Sequence, residues 1–210
     1  MGNPKYTHGF GFTLHYDSLQ LPLRWKKSRK IFVNSMSDLF HESMPDRFLD
    51  RCFGVMERAD WHVYQILTKR PDRMLSYLGK RGNVPDHIWV GTSVELAMYK
   101  SRIEVLKQVP ARIKFISFEP LLGPIGDVEL SEISWAIVGG ESGPKHRPIQ
   151  PQWVREIRKQ CRRQRVAFFF KQWGGRTAKS GGRMLDGREW SQYPVNARVS
   201  LELPLAPQAQ

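Results

Sequence analysis

Six short apolar runs, each closing in polar and ionisable residues, constrain this chain more than any other feature. Ile31-Phe32-Val33 leads into Asn34-Ser35-Met36-Ser37-Asp38, and His62 to Leu67 leads into Thr68-Lys69-Arg70. Ile88-Trp89-Val90 leads into Gly91 to Glu95, and Ile113 to Ile116 into Ser117-Phe118-Glu119-Pro120. Trp135 to Val138 leads into Gly139-Gly140-Glu141-Ser142-Gly143, and Val166 to Phe170 into Lys171-Gln172-Trp173-Gly174. Helical patterns lie between the runs, and this alternation is the signature of an α/β fold with a parallel sheet. Parallel strands point one way, so six polar strand ends converge on one face, where α/β barrels keep their sites.

The intervening helices are legible from spacing. Pro45-Asp46 opens one that runs to about Arg58, with Phe48, Leu49, Cys52, Phe53 and Met56 on one face. Pro71 starts a second, through Leu78. A third is predicted from about Leu96 to Val109, burying Met98, Ile103, Val105 and Leu106. A fourth runs from Pro151 to about Arg163, buried through Trp153, Val154 and Ile157. Its outer face, Arg155, Arg158, Lys159, Arg162 and Arg163, reads as a solvated basic stripe. Before the first strand, Phe10 to Leu14 reads as extended and Leu19 to Trp25 as a short helix.

Six βα units fall short of the eight in a closed barrel. The predicted fold is an incomplete (β/α) TIM-type barrel of about six parallel strands with helices outside; an open doubly wound sheet is the alternative. The predicted boundaries are one partial barrel domain over 1–176 and a turn-rich extension with a loose tail over 177–210. Gly181-Gly182 and Asp186-Gly187 mark turns there, with room for a small hairpin. An uncovered sheet edge invites association, so a second copy of the chain or a missing N-terminal fragment is an expected partner.

With 210 residues, one domain with an ample core is expected. No apolar run reaches membrane-spanning length and the N-terminus lacks a signal core, so the expected compartment is the cytoplasm, without a membrane partner. The net charge of +13 favours an anionic partner, nucleic acid or nucleotide. Cys52 and Cys161, both in predicted helices, read as buried thiols and cannot by themselves hold a cubane cluster.

The strand ends offer candidate ligand contacts. Ser35, Ser37 and Asp38 end the first strand, although helix capping by Asp38 or Ser43 explains them locally as well. Lys69 and Arg70 suit a carboxylate or phosphate, or an ion pair with a neighbouring acid such as Asp38 or Glu119. Ser93 and Glu95 follow the third strand, and Glu119 precedes a proline. Glu141 sits in a glycine-rich turn, where it would accept from a ribose hydroxyl or an ammonium; a plain tight turn is the alternative. Lys171 and Gln172 end the sixth strand. Carboxylates converging with Lys69 and Lys171 make a mixed-charge pocket, which suits a zwitterion better than a simple phosphate. The histidines are scattered, and no metal site is expected.

The strings Pro22 to Lys26, Ile31 to Glu42, Gln65 to Arg73, Phe115 to Pro124, Val138 to Gly143 and Phe168 to Gly174 resemble a phage and bacterial family of unknown function that carries a three-cysteine motif. That family resembles radical S-adenosylmethionine enzymes of the spore photoproduct lyase type. The likeness lies in the Ser35-x-Ser37-Asp38, Leu67-Thr68-Lys69, Thr92-Ser93 and Glu119-Pro120-Leu121-Leu122-Gly123-Pro124 strings. The resemblance implies S-adenosylmethionine as cofactor, and with the strand-end reading Ser35, Ser37, Asp38, Lys69, Ser93, Glu119 and Glu141 are expected around it. Arg70, Glu95, Lys171 and Gln172 are expected near a substrate. Within the set, Ser35, Ser37 and Lys69 would meet the methionine end, and Ser93 and Glu119 the ribose or substrate. In such enzymes cysteines after the first strand hold a [4Fe–4S] cluster. Neither cysteine here matches that motif, so the chain is expected to begin after it, to lack the cluster and to be inactive alone. A non-enzymatic nucleic-acid or nucleotide-binding module is the other expectation.

Overall fold

The computed structural model describes residues 13–34, 37–177 and 180–194. Six strands pair in chain order, all parallel, into a curled half-barrel with helices alongside: an incomplete TIM-type barrel. They are β1 (Lys30–Phe32), β2 (Val63–Thr68), β3 (Ile88–Ser93), β4 (Lys114–Phe118), β5 (Trp135–Gly139) and β6 (Ala167–Gln172). Two short helices, α1 (Tyr16–Leu19) and α2 (Leu21–Arg24), precede β1. The crossovers carry α3 (Asp46–Arg58), α4 (Pro71–Arg81), α5 (Ser101–Lys107) and α6 (Pro151–Arg163). Phe10 to Phe12 lie outside the described residues, as does the chain from 195 onward.

Side-chain alternation divides the sheet into two chemistries. Tyr64, Ile66, Ile88, Val90, Ile116, Phe118, Ala136, Val138, Phe168 and Phe170 face outward and join the buried faces of the helices in one core. α3 contributes Phe48, Leu49, Cys52, Phe53 and Met56, all buried, each worth about 1.5–3 kcal/mol for the large apolar groups. Pro71 and Pro151 stand at the helix starts, where no backbone donor is missed. The opposite, concave face carries Val63, Trp89, Ile113, Phe115, Trp135 and Phe169 in a second cluster. The register extends that face to β1, pairing Phe32 with Gln65 and Gln65 with Trp89. Gly91 belongs to it because a Cβ there would sit 2.6 Å from the Phe115 ring.

The third crossover differs from expectation. Ala97–Tyr99 form a 3-10 turn, α5 starts only at Ser101, and Met98 is 73% exposed. A continuous helix from Leu96 would bury Met98; the 3-10 winding turns it to solvent.

The segment after β6 returns to the sheet. Met184–Leu185 (β7) and Arg188–Glu189 (β8) form a hairpin. Asp186 and Gly187 both have positive φ at its turn (51° and 77°), as a twist-matched two-residue turn requires. Trp190 to Gln192 then run antiparallel along the free edge of β6: Phe170 N–H donates to Trp190 O (2.9 Å) and Gln192 N–H to Phe168 O (3.1 Å). Gln192 also accepts from Trp135 Nε1 (2.8 Å). Tyr193 packs on Trp135 and Phe169 within the concave face. Across the mouth, the Lys30 ammonium of β1 lies 3.8 Å from the Tyr193 ring centroid. The β6 edge is therefore covered by the chain itself, whereas no described residue pairs with the outer edge of β1.

The α6 stripe is not uniformly solvated. Arg155 and Arg158 both reach Asp186 of the hairpin turn (2.8 and 3.4 Å), and the Arg158 guanidinium lies 4.5 Å from the Trp190 ring centroid. These two arginines hold the hairpin; Lys159, Arg162 and Arg163 remain exposed.

Candidate functional site

The C-terminal strand ends carry two ion pairs bridging different strands. Lys69, just past β2, pairs with Glu95, just past β3. Glu95 is 5% exposed, and Arg102 of α5 reaches its other oxygen at 3.1 Å. The Arg102 guanidinium also donates to Ser93 O (2.9 Å) and packs 4.2 Å from the Tyr99 ring centroid. Glu95 Oε1 makes no hydrogen bond of good geometry. Its neighbour is the Lys69 ammonium, so it is charge-paired rather than orphaned. Lys171 of β6 pairs with Glu119, just past β4, at 3.1 Å. Gly139 of β5 makes that pair possible: a Cβ there would lie 3.0 Å from the Glu119 carboxyl. The buried residues Ser93 and Ser117 stand side by side in the register between the pairs.

Asp38 has a different task. Its Oδ1 accepts from Phe40 N–H (2.9 Å) and the Thr68 hydroxyl (2.7 Å). Its Oδ2 accepts from Lys69 N–H and Arg70 Nη1, both at 3.1 Å. Four donors occupy the carboxylate, which clamps the loop after β1 to the end of β2 and has little capacity left for a ligand. Arg70 is accordingly Asp38's partner. Lys69 finds Glu95 rather than Asp38 or Glu119, because Asp38 is saturated and Glu119 is claimed by Lys171.

Glu141 is likewise held. Arg147 donates through its backbone N–H, Nε and Nη2, each at 2.8 Å. These bonds hold the carboxyl pKa down at about 2. The turn itself needs glycine: a Cβ on Gly140 would meet Trp173 O at 2.0 Å, and one on Gly174 (φ 79°) would meet Glu141 O at 2.1 Å. Gln172 donates to Ser142 Oγ (3.0 Å), closing the same loop. Ser37 accepts from Asn34 Nδ2 at 2.5 Å and is exposed. Ser35 lies outside the described residues.

Of the sequence candidates, Lys69, Ser93, Glu95, Glu119 and Lys171 gather at the concave rim. Asp38, Arg70, Glu141 and Gln172 serve loop architecture. Two further concave residues emerge from the register. Phe32 is 44% exposed, and the neighbouring Gln65 is half-buried with no side-chain hydrogen bond among the described residues. Strand alternation places both on the concave face that the ion pairs border, but only the curl of the sheet separates an inner from an outer face. Trp89 is on the same face, fully buried, its indole N–H without an acceptor among the described residues.

A family model described as "Protein of unknown function (DUF5131)" matches residues 2–194, nearly the whole chain. The chain belongs to the DUF5131 family. No curated protein and no solved structure matches it. Among the described residues no group of three or more His, Cys, Asp or Glu is placed to hold a metal ion. Nor is any described helix of this DUF5131 chain long and apolar enough to cross a membrane.

Proposed function

We propose that the concave rim binds a zwitterionic nucleoside ligand of the S-adenosylmethionine kind. One observation carries this reading: two opposed ion pairs, Lys69–Glu95 and Lys171–Glu119, stand on a face that also bears an exposed aromatic ring and a free amide. Phe32 offers a stacking surface for a base, and the Gln65 amide both donates and accepts at a base edge. Lys69, 59% exposed, has an ammonium free to turn toward a ligand carboxylate. Glu119 lies within the same rim for a ribose hydroxyl or a ligand cation. A pocket that pairs its own charges when empty exchanges those pairs for ligand contacts on binding.

An iron–sulfur cluster does not fit the side chains of this chain. Its two cysteines lie buried in α3 and α6, on the outer layer of the half-barrel. Burial pushes both thiols up to about 12, away from the thiolate that iron requires. Radical chemistry at this rim therefore depends on cysteines from outside these 210 residues.

Phe32 and Gln65 equally favour a second reading, a nucleotide-binding module without redox chemistry. Titration calorimetry with S-adenosylmethionine, S-adenosylhomocysteine and ATP tests both. The expected result is preferential binding of S-adenosylmethionine, weakened by Phe32→Ala and by Lys171→Ala. ATP binding without that preference favours the module, and no binding of any of the three removes the nucleoside reading.

A further inference from the structure

The opposite end of the half-barrel carries a second feature, which does not depend on the rim. Arg24-Trp25-Lys26-Lys27-Ser28-Arg29-Lys30 places five cations in seven consecutive residues, without a carboxylate among them. Arg24, Lys26, Lys27 and Arg29 are exposed. Among the described residues none of them forms an ion pair with an acid, unlike Arg112, which pairs with Asp86, or Arg73, which pairs with Asp46.

The segment is not a loose loop. Val63 N–H donates to Arg29 O (2.8 Å), and Arg29 N–H donates to His62 Nδ1 (3.1 Å). Because Nδ1 accepts, Nε2 carries the ring proton and donates to Pro22 O (3.0 Å). Trp61 Nε1 donates to Trp25 O (2.8 Å), and Ser28 Oγ to Trp61 O (2.5 Å). Residues 22–29 are thus bound at five points, four through their backbone and one through the Ser28 hydroxyl, to the N-terminal end of β2, and their cations project from a fixed frame. Aromatic rings lie among them. Trp61 is 40% exposed, and the Arg29 guanidinium is stacked 4.5 Å from the Trp25 ring centroid.

We infer that this basic, tryptophan-bearing loop is a docking site for single-stranded nucleic acid. Fixed cations at near-consecutive positions match the regular charges of a phosphodiester backbone. The exposed Trp61 face offers a stacking platform that any unpaired base can use and a paired base cannot. An acid-free patch on an ordered loop also minimises the entropy lost on binding. A protein partner would call for apolar anchors, and apart from Trp61 the exposed large hydrophobics, such as Met98 and Met184, are not in this segment.

The test is fluorescence anisotropy with a labelled oligothymidylate of about twenty nucleotides, alongside a duplex of the same length, over a salt series. With four phosphate contacts the single-strand slope is about −2.8, so affinity falls about fifty-fold between 50 and 200 mM salt. The variant Arg24→Ala/Lys26→Ala/Lys27→Ala removes three exposed side chains that make no hydrogen bond or ion pair among the described residues. It should lower the slope by about 2 and weaken binding about tenfold or more. The control, Lys159→Ala/Arg162→Ala/Arg163→Ala on α6, removes the same charge and should leave binding nearly intact. Equal weakening by both triples would mean that net charge alone attracts the oligonucleotide and would overturn the assignment. Binding to anionic vesicles with none to the oligonucleotide would overturn it too, as would a preference for the duplex. Thermal melting of each variant separates lost contacts from lost fold.

Discussion

Asp38→Asn is the sharpest test of whether the first strand end serves structure or ligand. The aspartate accepts four hydrogen bonds, two on each oxygen. An asparagine of the same shape keeps one acceptor oxygen and presents an NH2 where the other stood. In its best orientation the oxygen faces Lys69 N–H and Arg70, and the NH2 faces Thr68 and Phe40. The Thr68 hydroxyl can reverse and accept, but Phe40 N–H, in a part-buried loop, meets a donor and loses its partner. That orphaned donor costs about 1 kcal/mol. The two bonds to the remaining oxygen lose their charge assistance, about 1 kcal/mol more after discounting for Arg70's exposure. We expect a total near 2 kcal/mol, and about 3 kcal/mol for Asp38→Ala, which strands all four donors. Urea unfolding at neutral pH reads this directly; for a domain of this length the melting temperature should fall about 4–8 °C for the asparagine variant. Stability within about 0.5 kcal/mol of the wild type, measured with an unchanged denaturant slope, would refute the clamp and return Asp38 to the ligand contacts.

Three further outcomes are expected. Burial, and the nearby Arg29 charge, lower the His62 pKa below its ordinary value. The unfolded chain then binds the extra proton first, so stability falls as pH drops below about 6.5. Urea midpoints at pH 7 and pH 5.5 check the sign, and His62→Gln should flatten the difference. Gly140→Ala places a methyl against the Trp173 carbonyl and should destabilise by about 2 kcal/mol or more, read by thermal melting. Cys52 and Cys161, both buried with pKa values about 12, should resist a disulfide-exchange reagent in the native protein, and both should react once urea unfolds it.

A helix face or a strand end is written in local spacing, and this chain could be read that far. Phe48 to Met56 on α3, prolines opening α4 and α6, and the turn at Asp186-Gly187 all follow from periodicity and backbone preference, which act within a few residues. So does the convergence of Lys69, Ser93, Glu95, Glu119 and Lys171, since parallel strands in series must end on one face. Spacing misplaced Met98, because it does not distinguish an α turn from a 3-10 turn at the mouth of a helix.

Partner choice belonged to the tertiary structure. Asp38 and Glu95 look alike as strand-end acids, but one is saturated by its neighbours' N–H groups and the other takes Lys69 and Arg102. Arg155 and Arg158 look like solvent-facing charges until the hairpin some thirty residues later lays Asp186 across them. The same return of the chain covers the β6 edge and brings Tyr193 to Lys30, at the far side of the sheet. Side-chain type determined what each residue was able to bind; the curl of the half-barrel decided which of those groups came within 4 Å of one another.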